Sequence, residues 1–290
     1  FIGLNFIELL LKKNIYNIIV VDSLTYASSK NELNKINIKK NINFYKCNIN
    51  NKIKLKSIFK KHKIDTVVNF AAESHVDRSI DNAEKFIQTN VLGTYNIIEV
   101  AKKYWKKKFN LDKEKCRFHQ ISTDEVFGSL KENEKKFDEK SNYKPNSPYA
   151  ASKASADMVV RSYISTYKMP ITMSYCTNNY GKYQHKEKFI PTVINACINK
   201  KKIPLYGNGQ NIRDWIHVDD HCAAILDILK KAKVGETFCI GASNELSNKM
   251  IIDEIIFSFK NITESYNYNY FKLIKFVKDR PGHDWRYALN

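Results

Sequence analysis

The sequence predicts an α/β fold, a parallel doubly wound sheet with a smaller C-terminal lobe. Three observations predict it. Short apolar runs at residues 15–21, 64–70, 116–122 and 171–176 are strand-like, and stretches of helical period separate them. The segment 17–22 is apolar along its length and ends on an acid, Asp22, as a fully buried parallel strand does. A chain of 290 residues, 43% hydrophobic, can bury one large α/β core and a second lobe.

Taken in order, Gly3 opens an apolar-patterned helix that runs to Leu11. The strand at 64–70 leads into Ala71 and Ala72, small residues that allow close approach of a ligand. The strand at 117–122 delivers Thr123, Asp124 and Glu125 to its carboxyl end, where open α/β sheets place their ligand crevices. Residues 131–146 are polar and charged, the most loop-like stretch, and are expected to border the mouth of a site. Ser147 is a good N-cap and Pro148 suits the first helical position, so a helix is predicted over 149–167. The lobe boundary is placed at Asn178, with residues 213–229 crossing back to the first lobe. No internal repeat and no Pro- or Ser-rich linker interrupts the chain.

Two clusters carry chemistry. Tyr149 and Lys153, four residues apart, project from one helical face, and an adjacent ammonium lowers the pKa of a phenol toward the range of a useful base. The plain alternative is a surface tyrosine beside a solvated lysine, which the spacing alone does not exclude. Asp124 and Glu125 are neighbouring carboxyls, and different surroundings can keep one protonated and the other ionised, dividing acid and base roles. Their plain alternative is an acidic turn capping the next helix.

Other classes find little support. The six cysteines, Cys47, Cys116, Cys176, Cys197, Cys222 and Cys239, lack C-x-x-C spacing and read as reduced, buried thiols. His217 and His221 stand at helical spacing without the Glu of a zincin motif, so no metal site is expected, and Asp219 or Asp220 is expected to cap the following helix. The formal charge is +18, with lysine runs at 12–13, 52–63, 102–108 and 200–202. Those runs are dispersed, Lys greatly exceeds Arg, and no aromatic-interleaved basic ribbon occurs, so nucleic acid is not an expected partner. No apolar segment is long enough to span a bilayer, and cytoplasm is the default expectation.

Ordered blocks along nearly the whole chain resemble the extended short-chain dehydrogenases that act on nucleotide sugars. They include Phe1-Ile2-Gly3, Leu24-Thr25-Tyr26-Ala27, Ala71-Ala72-Glu73-Ser74-His75-Val76-Asp77-Arg78, Thr123-Asp124-Glu125-Val126, Ser147-Pro148-Tyr149, Asn178-Asn179-Tyr180-Gly181, Arg213-Asp214-Trp215 and Arg280-Pro281-Gly282-His283-Asp284. Epimerases of this group lack the Asp-Glu pair and decarboxylases typically keep only the Glu, so both carboxylates point to the 4,6-dehydratases. The resemblance implies a Rossmann-like NAD domain over 1–177 and a nucleotide-sugar lobe over 178–290, with some return to the first. It also implies that the chain opens inside a Gly-rich motif, with the first strand and two glycines of the phosphate loop absent.

By resemblance, Gly3, Asp22, Leu24, Thr25, Asn48, Ile49, Ala71, Ala72, Ser74 and Thr89 bind NAD together with Tyr149 and Lys153, Asp22 taking the adenosine ribose. Asn48 and Phe127 depart from the family's usual Asp and Tyr. His75, Thr123, Asn178, Lys188, Phe189, Pro204, Tyr206, Arg213, Asn248, Arg280 and His283 fall on substrate positions. In the implied chemistry Tyr149 takes the sugar 4-hydroxyl proton, Thr123 bonds that oxygen, Glu125 removes the C5 proton and Asp124 protonates the departing 6-hydroxyl. Three readings stay open: a thymidine-diphosphate glucose dehydratase, its uridine counterpart, and a silent nucleotide-sugar-binding relative. The segment 184–191 looks closer to the thymidine form. Relatives dimerise through helices corresponding to residues 83–107 and 149–167, which implies a homodimer.

Overall fold

The computed structural model describes residues 1–28, 30–37 and 42–290. Helix and strand alternate through the first half: α1 (Ile2–Lys13), β1 (Ile19–Asp22), α2 (Lys30–Asn37), β2 (Asn43–Lys46), α3 (Lys52–His62) and β3 (Thr66–Asn69). Then follow α4 (Val76–Asp81), α5 (Ala83–Phe86), a π-helical stretch at Ile87–Gly93, α6 (Thr94–Phe109), β4 (Arg117–Thr123), α7 (Pro148–Tyr167) and β5 (Ile171–Cys176). Strands β3, β4 and β5 pair in parallel, β9 (Thr237–Ile240) extends that sheet beyond β5, and β1 pairs with β2.

Alternation along each strand explains why the sheet is covered on both faces. Val67 and Phe118 pack with Leu55, Trp105 and Val160 of α3, α6 and α7. Their neighbours Val68 and Ile121 turn the other way, onto Phe6 of α1 and onto Cys222 and Ile225 of α9 (Val218–Lys231). This is the doubly wound α/β arrangement. β1 and β3 do not pair with one another and instead wall opposite sides of a large cavity.

In the second half, β6 (Asn178–Tyr180), β10 (Glu245–Ser247) and β12 (Arg286–Tyr287) attach to β8 (Ile212–His217). Parallel strands β7 (Ile203–Tyr206) and β11 (Ile274–Val277) meet α8 (Phe189–Ile198) and α10 (Asn248–Thr263) around Val193, Cys197, Leu205, Ile252 and Ile256.

Local signals at α7 behave as expected: the Ser147 hydroxyl accepts from the Ala150 amide at 3.1 Å and Pro148 opens the helix. One expectation is refined and one corrected. The segment 83–107 is helical throughout, as expected, but residues 87–93 are wound as a π-helix, and Gly93 there meets Ile49. A Cβ on Gly93 would lie 2.4 Å from the Ile49 side chain, a contact no sequence period encodes. The cap of α9 is His217, whose Nδ1 accepts from the Asp219 amide at 3.3 Å, and neither Asp219 nor Asp220 serves. Among the described residues no helix is long and apolar enough to cross a membrane, and no His/Cys/Asp/Glu cluster fits a metal ion.

Candidate active site

The carboxyl ends of β1, β3 and β4 open onto one cavity, which continues between β1 and β3 along their whole length. Asp22 closes β1, and its Oδ1 accepts from the Leu24 amide at 2.6 Å and the Ser28 hydroxyl at 2.9 Å. The residues predicted to hold NAD all line this cavity: Gly3, Asp22, Leu24 and Thr25 on one side, Asn48, Ile49 and Thr89 on another, and Ala71, Ala72 and Ser74 after β3. Gly3 is not demanded by packing, since a Cβ there would meet Phe70 at 3.4 Å, an ordinary contact. An acid at a strand end, a helix N-terminus and small residues along the wall fit a dinucleotide.

Thr123, Asp124, Glu125, Tyr149 and Lys153 line the same cavity. Thr123 ends β4, and its hydroxyl accepts from the Glu125 amide at 3.4 Å, which folds residues 124–127 into a 3-10 turn and sets the two carboxyls side by side. Their surroundings differ. Asp124 is 1% exposed, its Oδ2 has no hydrogen-bond partner among the described residues, and burial with the nearby Glu125 charge pushes its pKa well above the ordinary aspartate value. Burial also raises Glu125, but Arg280, Arg213 and Lys188 hold that rise back. Asp124 is thus the more firmly protonated of the two carboxyls, an asymmetry of the kind that can divide acid and base roles.

Tyr149 meets Thr123 through its hydroxyl, yet burial and the Glu125 charge raise its pKa well above the ordinary phenol value. Lys153 is not among the leading influences on it. Lys153 Nζ instead donates to the Ile121 carbonyl at 2.7 Å, and it faces Asp157 one turn along α7.

The predicted substrate residues divide. Asn178 and Lys188 line the cavity, and Lys188 Nζ donates to the Ser74 carbonyl at 2.8 Å. His75, Phe189, Pro204, Tyr206, Arg213, Asn248, Arg280 and His283 are not on its wall. Arg213 was expected to grip a diphosphate with its fork, but the guanidinium donates to the Ile212, Asp284 and Trp285 carbonyls and lies over the Tyr287 ring. Arg280 is held by Asp77 at 2.8 Å and His283 by Asp279 at 2.6 Å. His75 keeps a buried, unpartnered Nδ1 near Lys188. Phe189 stacks on Trp215, and the Tyr206 ring meets His283 edge-on. Pro204 lies exposed on β7, and the Asn248 amide donates to Asn211.

Sequence reading missed Asn90. It sits in the π-helical stretch, accepts from the Glu73 amide, and donates to the Glu73 carbonyl and the Ser152 hydroxyl, tying the wall after β3 to α7 beside Tyr149. The neighbouring Thr89 gave the only signal.

With both carboxyls, a phenol and a crevice at the strand ends in one place, the class is a nucleotide-sugar dehydratase of the extended dehydrogenase type. The chain belongs to the family described as GDP-mannose 4,6 dehydratase, whose model matches residues 1–290. It is 42% identical over 293 residues to a dTDP-glucose 4,6-dehydratase of Haemophilus influenzae, covering 100% of this chain and 87% of that one. It is 40% identical over 305 residues to the Escherichia coli enzyme of the same name, covering 100% and 83%. Among solved structures, a dTDP-glucose 4,6-dehydratase from Streptomyces venezuelae with NAD and TYD bound superimposes with a TM-score of 0.89 at 37% identity, covering 100% of this chain and 85% of that one. One from Bacillus anthracis in complex with NAD gives 0.86 at 40%, covering 100% and 84%.

Proposed function

We propose that this chain is an NAD-dependent lyase that converts dTDP-glucose to the 4-keto-6-deoxy sugar nucleotide. The observation that carries the reading is the pair Asp124 and Glu125, adjacent on one turn, with the first held neutral and the second surrounded by cations. Removing water across C5–C6 needs a donor for the leaving hydroxyl and a base for the C5 proton, and this pair supplies both. NAD, held by the residues that line the cavity, supplies an acceptor for the C4 hydride and a donor for its return to C6.

The chain's own part begins with Tyr149, which takes the 4-hydroxyl proton while Thr123 bonds the same oxygen. The ketone so formed acidifies the C5 hydrogen, Glu125 removes it, and Asp124 gives its proton to the 6-hydroxyl as water departs. Glu125 then returns a proton to C5. Lys188, at the cavity wall, adds a positive charge near Glu125.

The thymidine reading over the uridine one is supported by relatives named for dTDP-glucose at about two-fifths identity across the chain. A base methyl contributes only about 1 kcal/mol in an apolar pocket, so both substrates are needed in the test. Incubation with dTDP-glucose is expected to yield a product lighter by one water, faster than with UDP-glucose. A silent relative would leave both masses unchanged.

We also infer a homodimer. Ile87, Leu92, Met158 and Tyr167 stand exposed on the helices that the family resemblance assigns to the subunit contact. Sedimentation is expected to give twice the monomer mass, and Met158→Glu with Leu92→Glu is expected to give monomers.

A further inference from the structure

The wall behind Tyr149 holds a charged group that the chemistry above leaves unused. Helix α7 carries Tyr149, Lys153, Asp157 and Arg161 at four-residue intervals, which sets them in one row along a single face. Asp157 is 0% exposed. Ser122, the residue before Thr123 on β4, donates its hydroxyl to Asp157 Oδ2 at 2.5 Å, whereas Oδ1 has no hydrogen-bond partner among the described residues.

The groups around this carboxylate come from four elements. Lys153 and Arg161 face it from α7, Ser122 from β4, Tyr175 from β5, and Tyr143 from the loop before α7. Arg161 Nη2 is directed to the Tyr175 hydroxyl at 3.1 Å, and the Tyr143 and Tyr175 hydroxyls hydrogen-bond to each other. Lys153 Nζ has one described acceptor, the Ile121 carbonyl, and two groups that favour its charge, Asp157 first and the Cys176 sulfur second. A lysine buried this far is driven toward the neutral amine unless an anion faces it.

We propose that Asp157 is a positioning residue of the oxidation step, the buried counter-ion that keeps the Lys153 ammonium charged and anchored to β4 behind Tyr149. The proposal rests on the reading of Tyr149 as the base. A neutral Lys153 cannot stabilise the Tyr149 phenolate, so the influence of Asp157 reaches the sugar hydroxyl through two residues without touching it. Asp157 itself is pushed up to about 6, chiefly by burial. Above that value the counter-ion is present, and below it the carboxyl is protonated and its help is lost.

The test compares Asp157→Asn, which keeps size and the acceptor for Ser122, with the wild-type enzyme loaded with NAD. Single-turnover cofactor reduction by dTDP-glucose is followed by absorbance across pH. The wild type is expected to be faster by roughly tenfold at about pH 8, and the ratio is expected to fall toward one below about pH 5, where its own Asp157 is protonated. A structural role alone would give a ratio independent of pH, and that result overturns the proposal.

A second readout does not use activity. NMR of 13C-labelled lysine, with Lys153→Met identifying the signal, is expected to show the Lys153 titration at lower pH in Asp157→Asn, and an unmoved midpoint overturns the proposal. Should Asp157→Asn fail to fold, Ser122→Ala serves. Loss of the hydroxyl raises the Asp157 carboxyl further, so its rate deficit is expected at about pH 6 and not at about pH 8. An equal deficit at both overturns the proposal. Failure of the underlying reading is separately visible, because Tyr149→Phe would then still reduce the cofactor.

Discussion

Tyr149→Phe is expected to stop cofactor reduction by dTDP-glucose, slowing it by about 10²–10⁴-fold, the usual contribution of a positioned general base. The side chain is 8% exposed and packs edge-on against Phe86, with ring centroids 6.2 Å apart, so phenylalanine fits the same space and the fold is retained. Only the hydroxyl is lost, with its contact to Thr123. The pH dependence of the wild type follows from the same surroundings. Burial and the Glu125 charge hold Tyr149 protonated, so the fraction able to accept a proton grows as pH rises through the neutral range. Reduction by the wild type is therefore expected to accelerate with pH there, and the residual rate of Tyr149→Phe is expected to lack that slope. Stopped-flow absorbance of the nicotinamide checks both. A Tyr149→Phe enzyme that reduces its cofactor at the wild-type rate would remove Tyr149 from the mechanism.

How far this site was legible in the sequence depends on whether the determining contact is local. Ser147, Pro148, Tyr149 and Lys153 lie within two turns of one helix, so capping and spacing alone predict their shared face. Thr123, Asp124 and Glu125 were placed because a strand delivers its last residues to the crevice, Thr123 ending β4 and the two carboxyls following on the 3-10 turn. The direction of the Lys153 ammonium was not legible. Its acceptor belongs to Ile121, thirty-two positions away on β4, and that contact overrides the local pairing with Tyr149. The same holds for Arg213, whose guanidinium is engaged by carbonyls of residues 284 and 285 brought in by β12 pairing with β8. The close approach of Ile49 to Gly93, at the end of the π-helical stretch Ile87–Gly93, is again a contact between distant segments. Patterns along the chain predict faces and ends, whereas the charge state of a group depends on what the fold sets against it.

That dependence governs the second large effect, expected for Asp124→Asn with Glu125→Gln. Neither amide can give or take the proton that elimination requires, whereas Tyr149 and Thr123 keep their hydroxyls, and loss of the Glu125 charge removes an influence that raises the Tyr149 pKa. Oxidation at C4 should proceed and elimination should stop. The expected result is a nicotinamide that remains reduced, a sugar nucleotide lighter by two hydrogens, and no product lighter by water, with turnover reduced by at least about 10²–10⁴-fold. Asp124→Asn alone separates function from stability. The folded-state pKa of Asp124 lies above its unfolded value, so the native chain keeps a proton that the unfolded chain has released, and stability falls as pH rises through that interval. Asparagine carries no charge and escapes that loss. The variant is therefore expected to melt higher than the wild type at about pH 8, by on the order of a few degrees, and to converge with it below about pH 4, where aspartate is protonated in both states. Calorimetry across that range checks the sign. A wild-type chain more stable than Asp124→Asn at about pH 8 would mean that Asp124 is ionised and paired in the folded protein, and the role of proton donor would pass from it.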